Sequence, residues 1–168
     1  YGAGQFEITV RPATAMVAAD RAVLLREIVR DTAAVEGLRA TFVPLPHPNA
    51  VGNGVHVHLS LWRDGVPVTY DADCDGGVSR VAQPAVAGIL AHAEALIVWA
   101  APSRISALRL TPHRWSAGGI CIGERNREAL LRICPLPPVS YPAEAYNLEF
   151  RAADATANPH LVLAALIH

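Results

Sequence analysis

The residue pattern predicts an α+β fold, a single sheet layer with helices packed on one face. Three observations carry the prediction. Stretches at 5–10, 55–61 and 147–151 alternate apolar and polar residues with the period of a strand. Between them, around 20–35, 83–100 and from Asn158 onward, apolar residues recur at helical spacing. No internal repeat or linker divides the 168 residues, which suffice for a single domain with a sizeable core.

Taken in order, Gly2-Ala3-Gly4 opens into a strand with Phe6, Ile8 and Val10 on its core face and Gln5, Glu7 and Thr9 opposite. Asp20 is placed to cap a helix carrying Val23, Leu24, Ile28 and Val35, which stops at Gly37. Thr41 to Val43 predicts a short strand, and the connector Pro44-Leu45-Pro46-His47-Pro48 cannot be helical. The stretch from Gly52 to Trp62 is the centre of the chain. His56, His58 and Ser60 share one face of its strand, and Val55, Val57, Leu59 and Leu61 share the other. Such a strand is either an amphipathic edge with solvated histidines or the wall of a site. Gly52 and Gly54, where a backbone can approach a ligand closely, favour the site.

Arg63-Asp64-Gly65 turns the chain into the return strand Val66 to Tyr70. The run from Asp71 to Gly76 imitates a calcium loop, but Ala82 holds its twelfth position and no helix precedes it, so it reads as a polar surface turn. A second helix is predicted from Gln83 to Ala100, with Pro84 in its first turn and His92 packed within it. Residues 102–114 read as irregular and basic, 130–133 as a strand and 135–142 as a proline-rich loop. In 147–151, Glu149 and Arg151 share a face, and Asn158-Pro159 starts a last helix.

A formal net charge of −1 gives no field that would recruit nucleic acid or an anionic membrane, so neither is expected as a partner. No apolar run has the length of a membrane span, and no secretory signal opens the chain. Cys74, Cys121 and Cys134 are odd in number and lack Cys-x-x-Cys spacing, which predicts reduced thiols in a cytoplasmic protein. At 52% hydrophobic and 17% charged, the chain is more apolar than a typical soluble domain. That excess predicts burial against something further, in a homo-oligomer or a longer chain of which this is a part.

The three alternating strands present Glu7, then His56, His58 and Ser60, then Glu149 and Arg151. Two carboxylates and an imidazole on facing strands suit a hard divalent cation such as Mg²⁺ or Mn²⁺. Arg109, Arg125, Arg127 and Arg132 lie between them in sequence, and guanidinium forks match phosphate and carboxylate oxygens. Metals with arginines and no general nucleophile form the inventory of phosphoryl transfer.

The order and spacing of these pieces resemble the catalytic region of the glutamine synthetase family over nearly the whole chain. The resemblance rests on Gly4-Gln5-Phe6-Glu7-Ile8, Phe42-Val43-Pro44-x-Pro46, Gly52-x-Gly54-x-His56-x-His58-x-Ser60-Leu61 and His92-Ala93. It continues through Pro102-Ser103, Ser106, Arg109-Leu110, Asn126-Arg127, Arg132-Ile133, Glu149-Phe150-Arg151, Asp154 and Ala157-Asn158-Pro159-x-Leu161. It implies the family's catalytic fold, a largely antiparallel sheet with helices packed on one face. It also implies ATP-dependent phosphorylation of the γ-carboxylate of a glutamate-like substrate, then attack by ammonia or an amine. Glu7 would ligate one Mg²⁺ or Mn²⁺ ion, and His56 with Glu149 the other. His58 and Ser60 would face ATP, with Arg127 and Arg132 on its phosphates. Gly52, Arg109 and Arg151 would hold the amino-acid substrate and its γ-phosphoryl group, which makes Arg127 and Arg151 the catalytic residues.

The departures are as specific. Val51 replaces an asparagine that helps fix glutamate, and Leu45 replaces a lysine. Ile105-Ser106-Ala107-Leu108-Arg109 replaces an Asn-Ser-Tyr-Lys-Arg segment. Trp115 stands where the family has the flap glutamate that handles the ammonium proton, and a further expected lysine falls near Glu144. The family's other metal carboxylates and its N-terminal β-grasp domain would precede Tyr1. A ligase with an altered acceptor and a non-catalytic binding or regulatory relative are therefore the two readings of the sequence.

Overall fold

The computed structural model describes residues 2–114 and 116–168. In chain order it contains α1 (Ala15–Val35), β1 (Val57–Leu59), β2 (Trp62–Arg63), β3 (Val66–Pro67), α2 (Gln83–Ala91) and α3 (Ala93–Ala100). There follow α4 (Arg104–Arg109), β4 (Gly119–Glu124), β5 (Ala129–Ile133), α5 (Pro142–Ala145), β6 (Leu148–Phe150) and α6 (Pro159–Ile167).

One sheet of four strands runs in the order β1-β6-β5-β4, and β2 with β3 forms a separate hairpin. The β1–β6 and β6–β5 pairs are antiparallel while β5–β4 is parallel, so the expected antiparallel character holds for two of the three pairings. Residues 125–128 alone join the parallel pair, and Arg125 there takes a left-handed φ of 54°. The β2–β3 turn is made by Asp64 (φ 50°) and Gly65 (φ 77°), the double positive φ that lets a two-residue turn match strand twist.

Register decides which side chains share a face. Val57, Phe150 and Leu131 lie opposite one another across three strands, as do His58, Glu149 and Arg132 in the next row. The first row enters the core with Leu148, Ile133 and Tyr146, closed by Val86 and Ile89 of α2, Leu96 of α3 and Val162 and Leu166 of α6. The second row forms a polar face. α2 packs on β4 and β5, α3 on α6, and α6 on α1.

Several elements differ from the sequence expectation. Residues 5–10 alternate but join no ladder among the described residues, and Phe6 is 87% exposed. A strand is stable only when a neighbour takes its backbone groups and its apolar face. Residues 41–43 form no strand either. The first helix begins after Thr14, so Asp20 sits inside it, while the chain leaves it through Gly37 at φ 68°. Leu24, Ile28 and Val35 of α1 face outward, and its fully buried residue is Ala19.

The predicted helix 83–100 is two helices meeting at 79°. The break is at His92, which is exposed at the joint and not packed inside a continuous helix. The bend turns two short apolar helices onto one core, which a straight rod could not do. Residues 104–109 are helical because Ser103 caps them, its hydroxyl accepting from Ile105 N at 3.2 Å. Asn158 and Pro159 do start the last helix, with the Asn158 side chain accepting from His160 N at 3.0 Å. No single helix among the described residues is long and apolar enough to cross a membrane.

Candidate active site

Glu149 is the centre of the polar face. It lies on the inner strand β6 and is 1% exposed, so its charge needs partners from both neighbouring strands. His56 Nδ1 lies 2.8 Å from its Oε1, and Arg151 Nη1 donates to the same oxygen at 2.7 Å. Oε2 lies against Arg132 Nε as an ion pair without hydrogen-bond alignment. His58 Nε2 is 3.9 Å from Oε1. Burial, the largest influence, raises the Glu149 pKa. The hydrogen bond and charge of His56, with Arg151, overcome it and hold the carboxyl at about 2. The carboxylate is ionised at any ordinary pH.

His58 is oriented from its far side. Asn147 Nδ2 donates to Ala145 O at 3.0 Å, which turns Asn147 Oδ1 toward the ring, so His58 Nδ1 donates to it at 2.8 Å. Cys134 Sγ stands 3.7 Å from the same nitrogen and 4.0 Å from Arg132 Nη2. The Cys134 hydrogen bond raises the His58 pKa above the ordinary imidazole value, burial opposing it and Asn147 and Glu149 adding to it. Sequence reasoning left Asn147 and Cys134 out of this cluster. The signal was present, since Asn147 lies two residues before Glu149 and Cys134 two after Arg132, on the same alternating face.

A second group flanks the first. Arg109, the last residue of α4, is buried, and its Nη2 donates to the carbonyls of Ala152 and Ala153. Its stem passes over Gly52, where a Cβ would lie 2.7 Å from Arg109 Cγ, so no larger residue fits there without displacement. Its tip reaches Gly54, where a Cβ would lie 3.1 Å from Arg109 Nη1 and 2.9 Å from His56 Nε2. Gly54 thus lies against both the arginine tip and the His56 ring, where any side chain would crowd them. Burial lowers the Arg109 pKa, with the Arg151 charge acting the same way against Asp154. Gln5 Nε2 donates to Gly52 O at 3.0 Å and so ties the N-terminal segment to this loop.

The expected site residues are therefore placed unequally. His56, His58, Glu149, Arg132 and Arg151 come together, with Gly52 and Arg109 beside them. Arg127 is exposed at the rim, where its carbonyl accepts from Arg151 Nε at 3.0 Å. Ser60 lies past the end of β1 and accepts from Trp62 Nε1 at 3.0 Å. Glu7 is exposed on the unladdered segment. Leu45 is buried, so the residue standing where a lysine was expected serves the core. Trp115 lies outside the described residues.

The resemblance puts Glu7 on one ion and His56 with Glu149 on another. Among the described residues no group of three or more His, Cys, Asp or Glu could hold a metal ion. His56 Nδ1 and Glu149 Oε1 lie 2.8 Å apart, so the two side chains converge and, as a neutral imidazole and a carboxylate, would hold one ion together.

The profile described as "Glutamine synthetase, catalytic domain" matches residues 1–168. A γ-glutamylpolyamine synthetase from Streptomyces coelicolor is 41% identical over 99% of the chain, and a glutamine synthetase from Mycolicibacterium smegmatis is 37% identical over 98%. The chain covers 36% and 34% of those two proteins, about a third of their length. A crystal structure described as a novel glutamine synthase homolog is 50% identical with a TM-score of 0.81, covering 89% of this chain and 36% of its own. The Plasmodium falciparum glutamine synthetase structure is 32% identical with a TM-score of 0.82, covering 91% of this chain and 29% of its own. A buried carboxylate ringed by imidazoles and guanidiniums thus stands in a sheet shared with these proteins, and the chain belongs to the glutamine synthetase family, in its catalytic domain.

Proposed function

We propose that the intact protein is an ATP- and divalent-metal-dependent ligase joining glutamate, through its γ-carboxylate, to ammonia or an organic amine. One observation carries the reading. A buried, ionised Glu149 is gathered with His56, His58, Arg132 and Arg151 on one sheet face of a chain from this family. In the first step a γ-carboxylate oxygen attacks the terminal phosphorus of ATP, giving γ-glutamyl phosphate and ADP. In the second the amine nitrogen attacks the acyl carbon, phosphate leaves, and the nitrogen releases a proton. Neither step needs a protein nucleophile, and both need anionic oxygens neutralised.

In this reading Arg127 and Arg132 meet the phosphates, and Arg151 meets the γ-phosphoryl group as it transfers. His58 and Ser60 face the nucleotide, and Gly52 and Arg109 hold glutamate. Bound Mg²⁺ or Mn²⁺ would withdraw charge from the phosphates, with His56 and Glu149 as this chain's ligands to one ion and Glu7 as its ligand to the other. The rest of the ligand set would come from other parts of the intact, homo-oligomeric, cytoplasmic enzyme.

The acceptor is the altered part. An indole offers an N–H donor and an aromatic face and cannot accept a proton, so Trp115 cannot replace the flap glutamate. Its face suits an alkyl or aromatic amine, through apolar contact and cation–π attraction of about 0.5–2 kcal/mol. A relative named for polyamine glutamylation supports an organic amine over ammonia. The second reading, a non-catalytic module, is favoured by Val51 and Trp115, which stand where the family's glutamate-fixing asparagine and flap glutamate are expected. ATP-dependent phosphate release by the intact protein, with glutamate and a panel of ammonia, monoamines and polyamines, separates them. The ligase reading expects an organic amine to be the best acceptor and Trp115→Glu to shift preference toward ammonia. Ammonia as the best wild-type acceptor removes the altered-acceptor claim, and no turnover with any amine leaves the module.

A further inference from the structure

Asp154 follows β6 by four residues and is 2% exposed. Its surroundings fix it firmly. Its backbone N–H donates to Ala100 O at 3.0 Å, at the end of α3. Its Oδ1 accepts from Thr156 N at 3.0 Å and Thr156 Oγ1 at 2.6 Å, an Asx turn that closes the loop before α6. That leaves Oδ2, which is buried and makes no hydrogen bond.

The atom it faces is in the same condition. Arg109 Nε is buried, makes no hydrogen bond, and lies 3.9 Å from Asp154 Oδ2. A buried donor and a buried acceptor of opposite charge thus lie 3.9 Å apart, and neither has a hydrogen-bond partner. Isolated buried polar atoms are costly, and a fold retains them where their charge or position is used. Here the position is specific. The backbone carbonyls of Ala152 and Ala153 fix Arg109 Nη2, Gly52 admits its stem, and Asp154 stands behind Nε. The one end not gripped from behind, Nη1, stands beside Gly54 and His56.

We infer that Asp154 is a positioning residue, which holds the Arg109 guanidinium beside His56 and so sets the affinity of the site for an anionic substrate group. The carbonyls alone carry no charge, so Asp154 is the counter-ion that favours a cation at this depth. The fixed Asx turn keeps its free oxygen within 3.9 Å of Nε. When a carboxylate or phosphoryl oxygen seats on Nη1, the guanidinium is held from both sides. The role in substrate binding rests on the ligase reading; the placement of Arg109 does not.

Asp154→Asn in the intact protein isolates the claim, because an asparagine Oδ1 still accepts from Thr156 while the charge facing Nε is lost. With glutamate, ATP and the best amine, the KM for glutamate is expected to rise about tenfold, with kcat and the KM for ATP changing less than about twofold. In the Arg109→Lys background the same substitution should add little, since both changes act through one guanidinium. A crystal structure of the Asp154→Asn protein should show the guanidinium moved off the Ala152 and Ala153 carbonyls. A glutamate KM unchanged in an active enzyme, or an arginine unmoved in the crystal, overturns the inference. A wild-type protein that turns over glutamate with no amine removes the ligase reading instead, and the crystal structure then decides the placement of Arg109 by itself.

Discussion

The sheet around Glu149 and the segment from Gln5 to Leu38 carry equally clear hydrophobic patterns, and the structure treats them in opposite ways. In the sheet, Leu131 and Phe150 are fully buried, and alternation has sent one row of side chains into a core and the next into a site. In the N-terminal segment Phe6, Ile8 and Val10 alternate just as regularly and are all exposed. The helix after them shows its apolar stripe to solvent, with Leu24 at 59%, Ile28 at 60% and Val35 at 84% exposure. Periodicity states which side chains share a face. Only a partner decides whether that face is covered, and the sheet has its partners within this chain.

The largest expected effect tests the covered side. Phe150→Ala removes a ring that lies between Val57 and Leu131 across three strands, in a core closed by three helices. Loss of transfer free energy and an unfilled cavity together cost about 3–5 kcal/mol. Urea denaturation followed by circular dichroism should show the midpoint fall accordingly. A loss below about 1 kcal/mol would mean that the core row is as loosely held as the N-terminal segment, and the contrast would fail.

This contrast also explains what the sequence made legible. Period two puts His56, His58 and Ser60 on one face of one strand and Glu149 with Arg151 on one face of another, and the pairing of His58 with Glu149 joins those faces because both strands keep a buried face. Glu7 was assigned by the same rule to a strand, and the rule failed because residues 5–10 have no ladder to join. The helix break at His92 was not legible, since an unbroken apolar run looks the same whether it is one rod or two packed at an angle. Nor was the role of Asp154, because nothing in a sequence of small residues such as Ala152-Ala153 shows that an arginine from another element will grip their carbonyls. Elements that settle against near neighbours in the fold were readable; tertiary encounters were not.

A smaller effect probes the same core from its polar edge. Tyr146 is buried against Tyr70, with ring centroids 5.1 Å apart, and its hydroxyl donates to Gly76 O at 2.8 Å. Burial first, then the Glu124 charge, raises its pKa to about 12 from the ordinary 10. Below pH 10 the phenol is protonated in folded and unfolded chains alike, so its contribution is intact. Between pH 10 and 12 the unfolded chain ionises and the folded one does not, so stability declines, by about 2–3 kcal/mol once the folded pKa is passed. Denaturant titrations at pH 9 to 12 should show this decline, and Tyr146→Phe should flatten it after a pH-independent loss of about 1 kcal/mol for the hydrogen bond. A wild-type slope equal to that of Tyr146→Phe would show that the ring is not sealed from solvent.

The smallest expected effect is the most direct test of the uncovered side. At 100° per residue, Val17, Leu24, Ile28 and Val35 fall within about 20° of a single line along α1. On the opposite side Ala19 is buried, α6 makes its contacts, and Arg26 Nη1 donates to Ala155 O at 2.7 Å. One side of the helix is therefore docked and the other free. Leu24→Ala deletes a side chain from the free side, where little apolar area leaves the packed state, and alanine favours the helix slightly. The midpoint of this chain should move by less than about 0.5 kcal/mol in urea, against several for Phe150→Ala. The same substitution in a longer protein whose other parts lie on α1 should cost about 2 kcal/mol or more, the amount typical of a buried leucine. If the cost in this chain alone reaches that level and the transition shifts with protein concentration, a second copy covers the stripe in solution. The two regions would then differ in whose residues cover them, and no longer in whether they are covered.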